Sequence, residues 1–247
     1  MPPPKRQRLD QALLDRGLVA DIKEARSLIM TGQVLVAEGR IDKPGHPISL
    51  ETPIRLKEQK CPWVSRGAFK LLQALDTFKI DPTGWRCLDA GASTGGFVEV
   101  LLDRGAAQVT AVDVGYGQLA WKLVQDPRVQ LLDRTNIRHL TLEKIQQPVD
   151  LVTMDLSFIS LTRVLPVVAK LLKPHGRGIA LIKPQFEVKK EQVSQGGLVE
   201  DPLLHQQAIE KIHQCATEMN LQEQGLTPSP IKGPAGNVEF LFYFGKP

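Results

Sequence analysis

Lys70, Asp155, Lys183 and Glu239 are the four charged residues of this chain whose settings are most informative about chemistry. They lie in Ser65-Arg66-Gly67-Ala68-Phe69-Lys70, Met154-Asp155-Leu156-Ser157, Leu181-Ile182-Lys183-Pro184 and Asn237-Val238-Glu239-Phe240. Three of the four sit in or beside apolar runs, where an ionised group is costly unless it is paired. A lysine amine becomes a usable base when burial or a neighbouring positive charge weakens its hold on the proton. Each residue alone reads as a solvated strand end. Together they fall where strands and a helix of one fold would end.

A second group points to a ligand. Leu88-Asp89-Ala90-Gly91-Ala92-Ser93-Thr94-Gly95-Gly96-Phe97 lies between a predicted strand and a predicted helix. Its glycines let the backbone pass close to a bound molecule, with a helix N-terminus behind. Many folds use such a turn, so it is weak by itself. The spacing Gly-x-x-x-Gly-Gly differs from the Gly-x-Gly-x-x-Gly of dinucleotide sites, and an acid, Asp89, stands two residues before the first glycine.

The elements that must position these residues follow from periodicity. Strands are predicted at 87–89, 109–112, 129–132, 150–154 and 178–183, and helices at 96–104, 117–124, 161–172 and 203–219. This alternation implies an α/β fold, a Rossmann-like, mostly parallel sheet with helices on both faces. Asp155 ends the fourth strand and Lys183 the fifth, the side where open sheets bind ligands. Val238–Phe244 reads as a last apolar strand, with 225–227 as an antiparallel edge partner. Ahead of the sheet, Ser65 is placed to cap a helix with the stripe Ala68, Phe69, Leu71, Leu72 and Leu75. Lys70 lies opposite much of that stripe, an arrangement that allows it to be exposed.

Residues 8–60 form a separate small α+β pattern. Leu9, Ala12 and Leu13 have helical spacing, and Gly17 lies where a C-cap would. Asp21 with Glu24 reads as an N-cap and capping-box acid of a second helix striped by Ala25, Leu28 and Ile29, stopped by Gly32. Val34–Val36, the turn Glu38-Gly39 and Ile41 suggest a hairpin, Pro44, Gly45, Pro47 and Pro53 mark loops, and Ile54–Leu56 is a closing strand. The organisation is therefore a domain at 1–60, a linker and first helix at 61–84, and the sheet domain at 85–247.

Composition narrows the class. The formal charge is +4, and residues 1–60 hold 11 Lys and Arg against 8 Asp and Glu, so most of the excess lies in the small module and is compatible with a polyanionic partner. Cys61, Cys87 and Cys215 are too widely spaced for a zinc site or a disulfide framework, and the five histidines have no metal-ligand spacing. The start, Met-Pro-Pro-Pro-Lys-Arg-Gln-Arg, lacks the apolar core of a signal peptide, and 161–172, broken by Arg163, Pro166 and Lys170, is too short and polar to cross a bilayer. A soluble cytoplasmic protein is expected.

The order Lys70, Asp155, Lys183, Glu239 around a Gly-rich loop resembles the tetrad of FtsJ-like ribose 2′-O-methyltransferases, and 88–97 resembles the first motif of S-adenosylmethionine (SAM) methyltransferases. Arg8-Leu9-Asp10, Ala25-Arg26-Ser27-Leu28-Ile29 and Gly32-Gln33-Val34 resemble the S-four-type RNA-binding module. Jointly, from Arg8 to Phe244, the chain resembles the haemolysin A-like family of bacterial rRNA 2′-O-methyltransferases.

The resemblance implies that SAM is the cofactor, held by Asp89, Gly91, Ser93, Gly95, Gly96 and Phe97, with Asp113 accepting its ribose hydroxyls and Asp133 its adenine amino group. It implies that Lys183 deprotonates or steers a ribose hydroxyl, that Asp155 holds Lys183, and that Lys70 and Glu239 orient the pair and contact the target ribose. Arg8, Arg16, Lys23, Arg26, Gln33 and Arg66 would contact RNA. The implied partner is ribosomal RNA or a ribosomal subunit, the target a cytidine, with no metal and no stable membrane association.

Other chemistries fit less well. Base-amino methylases resemble one another in an Asn/Asp-Pro-Pro-aromatic turn, whereas this chain has Asp155-Leu156-Ser157-Phe158. Cytosine carbon methylation needs a cysteine nucleophile, and Cys87 and Cys215 read as core residues. Two other classes are a membrane-active cytolysin, suggested by the haemolytic labels of this family, and a non-catalytic RNA-binding protein. Vesicle leakage without RNA or SAM would mark the first, and absence of SAM binding the second.

Overall fold

The computed structural model describes residues 6–19, 21–30, 34–37, 39–56 and 61–247. The chain divides into two compact units, Met1–Cys61 and Pro62–Pro247.

In the first unit, helices α1 (Leu9–Asp15) and α2 (Ile22–Met30) lie with two small sheets. Strand β1 (Arg6–Arg8) pairs with β4 (Pro47–Ser49), and β2 (Val34–Val36) pairs with both β3 (Gly39–Arg40) and β5 (Ile54–Leu56), all antiparallel. Leu9, Ala12 and Leu13 from α1 meet Ala25 and Ile29 from α2 in a core closed by Val34, Val36 and Ile48. Asp21 Oδ1 accepts the amides of Lys23 and Glu24, the capping role its position predicts. Gly17 takes φ +65 just beyond α1, where glycine has no Cβ to clash. The β1–β4 pair is not foreshadowed by sequence, because a three-residue strand opening on Pro47 carries no alternation to read. Gly32, Gln33 and Glu38 lie outside the described residues.

The second unit is a three-layer sandwich around seven strands. These are β6 (Arg86–Ala90), β7 (Gln108–Val112), β8 (Val129–Leu132), β9 (Val149–Met154), β10 (Leu172–Ile182), β11 (Gln222–Pro228) and β12 (Phe240–Gly245), in the order β11-β12-β10-β9-β6-β7-β8. The first five are parallel, and β12 runs antiparallel to both β10 and β11.

Strand period two sends alternate residues to opposite layers. Cys87, Val109, Leu151, Ile179 and Leu241 pack with α3 (Ala68–Phe78), α4 (Gly96–Asp103) and α5 (Trp121–Val124). Leu88, Val112, Val152, Ala180 and Phe242 pack with α6 (Leu142–Ile145), α7 (Leu165–Leu171) and α9 (Pro202–Glu218). A short α8 (Pro184–Glu187) begins directly after Lys183. The chain leaves β6 toward β7 on one side and returns beside it as β9 on the other. The carboxyl ends of β6 and β9 therefore flank the switch point where an open sheet leaves a ligand crevice.

Three expected helices differ in detail. Only Trp121–Val124 is helical within 117–124, because the Asp113 and Asp133 carboxylates capture the Gly115 and Gly117 amides and hold the preceding turn open. The expected helix 161–172 is a 3-10 turn at 161–163 followed by α7, which Pro166 starts and cannot extend backward. Ser65 does not cap α3 with its side chain; Gly67 is the cap residue, and the Ser65 carbonyl accepts the Ala68 amide.

Candidate active site

Four strand or helix ends bring Lys70, Asp155, Lys183 and Glu239 into one chain of ion contacts. Lys70 Nζ lies 2.7 Å from Glu239 Oε2 and 3.2 Å from Asp155 Oδ2, and Lys183 Nζ lies 2.6 Å from Asp155 Oδ1. Lys70 is 6% exposed, Lys183 7% and Glu239 1%. The group sums to zero charge, with Asp155 at its centre. Burial pushes the Asp155 carboxyl up, but the Lys183 and Lys70 ammonium groups outweigh burial and hold it below its ordinary range. Lys183 also donates to Ser157 Oγ at 3.1 Å. Lys70 is not the exposed residue its helical phase allows, because the face opposite the stripe of α3 turns toward Glu239 rather than toward water.

A cavity of about 720 Å³ opens beside this chain, walled by Gly91, Ser93, Asp113, Gln118, Asp155 and Ser157 among others. Its floor depends on one glycine. Gly91 has φ +86, and a Cβ there would stand 2.7 Å from the Asp155 carbonyl oxygen. Any other residue would push apart the ends of β6 and β9. The volume suits a nucleoside-sized ligand.

The FtsJ-like methyltransferase pattern matches residues 63–246. The chain belongs to that family. Its relatives extend the likeness into the first unit. The 16S/23S rRNA (cytidine-2′-O)-methyltransferase TlyA of Mycobacterium tuberculosis is 48% identical over 240 residues, covering 97% of this chain and 90% of that one. Hemolysin A of Brachyspira hyodysenteriae is 36% identical, covering 96% and 99%. The solved structure of a hemolysin-named protein from Streptococcus thermophilus superposes with a TM-score of 0.75 at 38% identity, covering 98% of this chain and 88% of that one.

In this FtsJ-like methyltransferase SAM is the cofactor, and the cavity can be read against it. Of the residues predicted to hold it, Gly91, Ser93 and Asp113 line the cavity. Asp113 is fixed there by the amides of Ser93 at 2.8 Å and Gly115 at 2.7 Å. That leaves lone pairs on a carboxylate at the end of β7, suited to a ribose diol. The residues therefore fit the group.

The other predicted contacts do not line the cavity. Gly95 takes φ +100 at the start of α4, a conformation that requires glycine, and a Cβ on Gly96 would strike Ser65 and the Ala68 amide, so these glycines serve the turn and the packing. Phe97 is buried in the core. Asp133 accepts the Gly117 amide. Asp89 points into the sheet, where Thr153 Oγ1 donates to its Oδ1 at 2.7 Å and its Oδ2 is buried without a partner. Thr135, Asn136, Arg138, Phe158 and Phe186 also line the cavity. Phe186 lies on the four-residue α8, Arg138 on a 3-10 turn and the others on irregular segments, all too short for periodicity to mark them as lining residues.

Burial pushes Asp89 up to about 7, with the Thr153 hydrogen bond opposing and the Asp155 and Asp113 charges adding to the rise. An unfolded aspartate loses its proton near about 4. The folded state thus keeps a proton that the unfolded state loses, and stability falls as pH rises from about 4 through about 7. Asp89→Asn cannot ionise and removes this slope. Its melting temperature should gain on the wild type by several degrees between pH 5 and pH 8; parallel curves in thermal melts would refute the assignment.

Of the two cysteines in the second unit, Cys87 is buried in the core and Cys215 packs partly buried against it. Burial pushes the Cys87 thiol up to about 12 and raises that of Cys215, the reverse of an activated nucleophile.

The residues expected to meet RNA are differently engaged. Arg8 grips both oxygens of the buried Asp10, at 3.0 and 2.7 Å, and Arg26 reaches the same carboxylate at 3.2 Å. The Arg8 hydrogen bond, with help from Arg26, holds Asp10 below the ordinary carboxylate range despite its burial. Arg16 donates to the Leu50 and Thr52 carbonyls. Lys23 and Arg66 are exposed, and Gln33 lies outside the described residues. Among the described residues, no helix is long and apolar enough to cross a membrane.

Proposed function

We propose that this chain transfers the methyl group of SAM to the 2′-hydroxyl of a cytidine in ribosomal RNA, acting in the cytoplasm on a ribosomal subunit. The observation that carries the reading is the buried chain Glu239–Lys70–Asp155–Lys183 at the edge of the cavity. The name of the mycobacterial relative supports the substrate, and membership of the FtsJ-like family supports methyl transfer.

The bound cofactor would supply an electrophilic methyl group on a cationic sulfur. The chain's own work is placement and proton handling. Lys183 Nζ takes or steers the hydroxyl proton, because attack by a neutral hydroxyl is slow and a developing alkoxide needs a cation beside it. Asp155 fixes Lys183 and keeps the pocket neutral. Lys70, locked by Glu239, fixes the second oxygen of Asp155, so that neither carboxylate oxygen can turn away. Gly91, Ser93 and Asp113 hold the donor in register.

The test is methylation of isolated ribosomal subunits with labelled SAM, followed by mass-spectrometric mapping. Label on a cytidine ribose supports the reading, and label on a base or on neither subunit overturns it.

Arg8, Arg16, Lys23, Arg26 and Arg66 are proposed to meet the RNA backbone, the first four from an S-four-type domain. Arg8 and Arg26 do so with the donors that Asp10 leaves free. Lys23 is the cleanest probe, since it is exposed on α2. Lys23→Glu should weaken RNA binding about tenfold at low salt, reduce the slope of log K against log salt by about one to two, and leave SAM affinity unchanged. Binding isotherms at three salt concentrations check this, and an unchanged slope would remove Lys23 from the interface.

A further inference from the structure

The Lys183 nitrogen has two partners, and only one belongs to the tetrad. Asp155 Oδ1 lies at 2.6 Å and Ser157 Oγ at 3.1 Å. A carboxylate holds an amine in place but leaves it free to turn about that contact. A second acceptor in a different direction fixes the turn. The Asp155 contact is an ion pair, whereas the contact to Ser157 is a hydrogen bond, so Ser157 is the partner that sets how the amine is turned.

We propose that Ser157 is a positioning residue for methyl transfer, setting the orientation of Lys183. The proposal rests on the reading of Lys183 as the residue that handles the hydroxyl proton. Ser157 and Asp155 both line the cavity, and both contact the Lys183 nitrogen.

The support behind Ser157 is independent of any ligand. Three residues on, Ser160 Oγ donates to Glu187 Oε2 at 2.5 Å, and the Leu161 amide donates to Glu187 Oε1 at 2.7 Å. Glu187 is buried, receives Lys211 Nζ at 3.1 Å, and closes α8, the helix that starts at the residue after Lys183. One carboxylate thus bolts the segment carrying Ser157 to the segment carrying Lys183. The distance between hydroxyl and amine is therefore set by the fold before substrate arrives, which is the condition for a positioning contact to affect rate.

The test compares Ser157→Ala, Ser157→Thr and Lys183→Ala in one methyl-transfer assay with subunits as substrate. Ser157→Ala should lower kcat roughly 10- to 100-fold while the KM for RNA and the SAM affinity stay within about twofold. Ser157→Thr, which keeps the hydroxyl, should recover most of the rate. The melting temperature should not move, since the Ser157 side chain is exposed. A wild-type kcat in Ser157→Ala, a raised KM with kcat intact, or a loss that threonine fails to repair would each overturn the proposal. Activity in Lys183→Ala would overturn both this proposal and the reading beneath it. An inactive Lys183→Ala beside a full-rate Ser157→Ala overturns the Ser157 role alone.

Discussion

Lys183→Ala should lower kcat for methyl transfer by at least about 1,000-fold and leave SAM affinity within about tenfold. The two readouts separate because the proposed mechanism gives the cofactor and the proton to different residues. The Asp113 carboxylate accepts the backbone amides of Ser93 and Gly115, and neither bond involves Lys183. Removing the amine leaves Asp155 with Lys70 at 3.2 Å, so one carboxylate still has a cation and the local fold survives. What disappears is the group proposed to accept the proton or shield an alkoxide at the hydroxyl. Lys183→Met, which keeps most of the stem volume, should be equally inactive. Transfer at the wild-type rate in either variant would remove Lys183 from the mechanism, whereas lost SAM binding would mean that the two sets of residues are not independent.

The sheet was legible in the sequence because its strands are buried on both faces. Val109–Val112 and 150–154 are short apolar runs between polar turns, and a buried parallel strand admits little else. The tetrad was legible for a related reason: an ionised residue ending an apolar strand needs a partner, and Asp155 and Lys183 end neighbouring strands. Lys70 was harder. Helical phase puts it opposite the stripe, and only the return of β12 beside β10 brings Glu239 over that face. That contact spans 169 residues, and no local pattern encodes it.

The cofactor loop shows the opposite failure. Its glycines have the spacing of a ligand loop, yet only Gly91 touches the cavity. Gly95 is glycine because the chain turns there at φ +100, and Gly96 because Ser65 and the Ala68 amide press against it. A glycine's freedom and a glycine's smallness look alike in sequence. In the small unit, charge misled in the same way. Arg8 and Arg26 read as free cations because no local pattern marks Asp10, on α1, as a buried carboxylate that both arginines reach. Ser157 was visible only as a residue in a turn, since its role depends on where Lys183 ends β10.

Asp155→Leu carries the second large effect, and it falls on stability as well as rate. The substitution leaves two buried ammonium groups against the single carboxylate of Glu239. Lys70 keeps its 2.7 Å contact with Glu239, but Lys183 is left with a serine hydroxyl alone. An unpaired buried charge costs about 3–5 kcal/mol, which corresponds to a fall of about 10 °C in melting temperature for a unit of this size. Methyl transfer should be lost to the same degree as in Lys183→Ala, because the amine no longer has a fixed position. The decisive comparison is the double variant Asp155→Leu with Lys183→Met. It contains no unpaired charge, so it should regain most of the lost melting temperature while remaining inactive. Stability and activity, lost together in the single variant, would then part in the double. A double variant less stable than Asp155→Leu would show that the two side chains are not coupled, and that the charges are balanced by something other than each other.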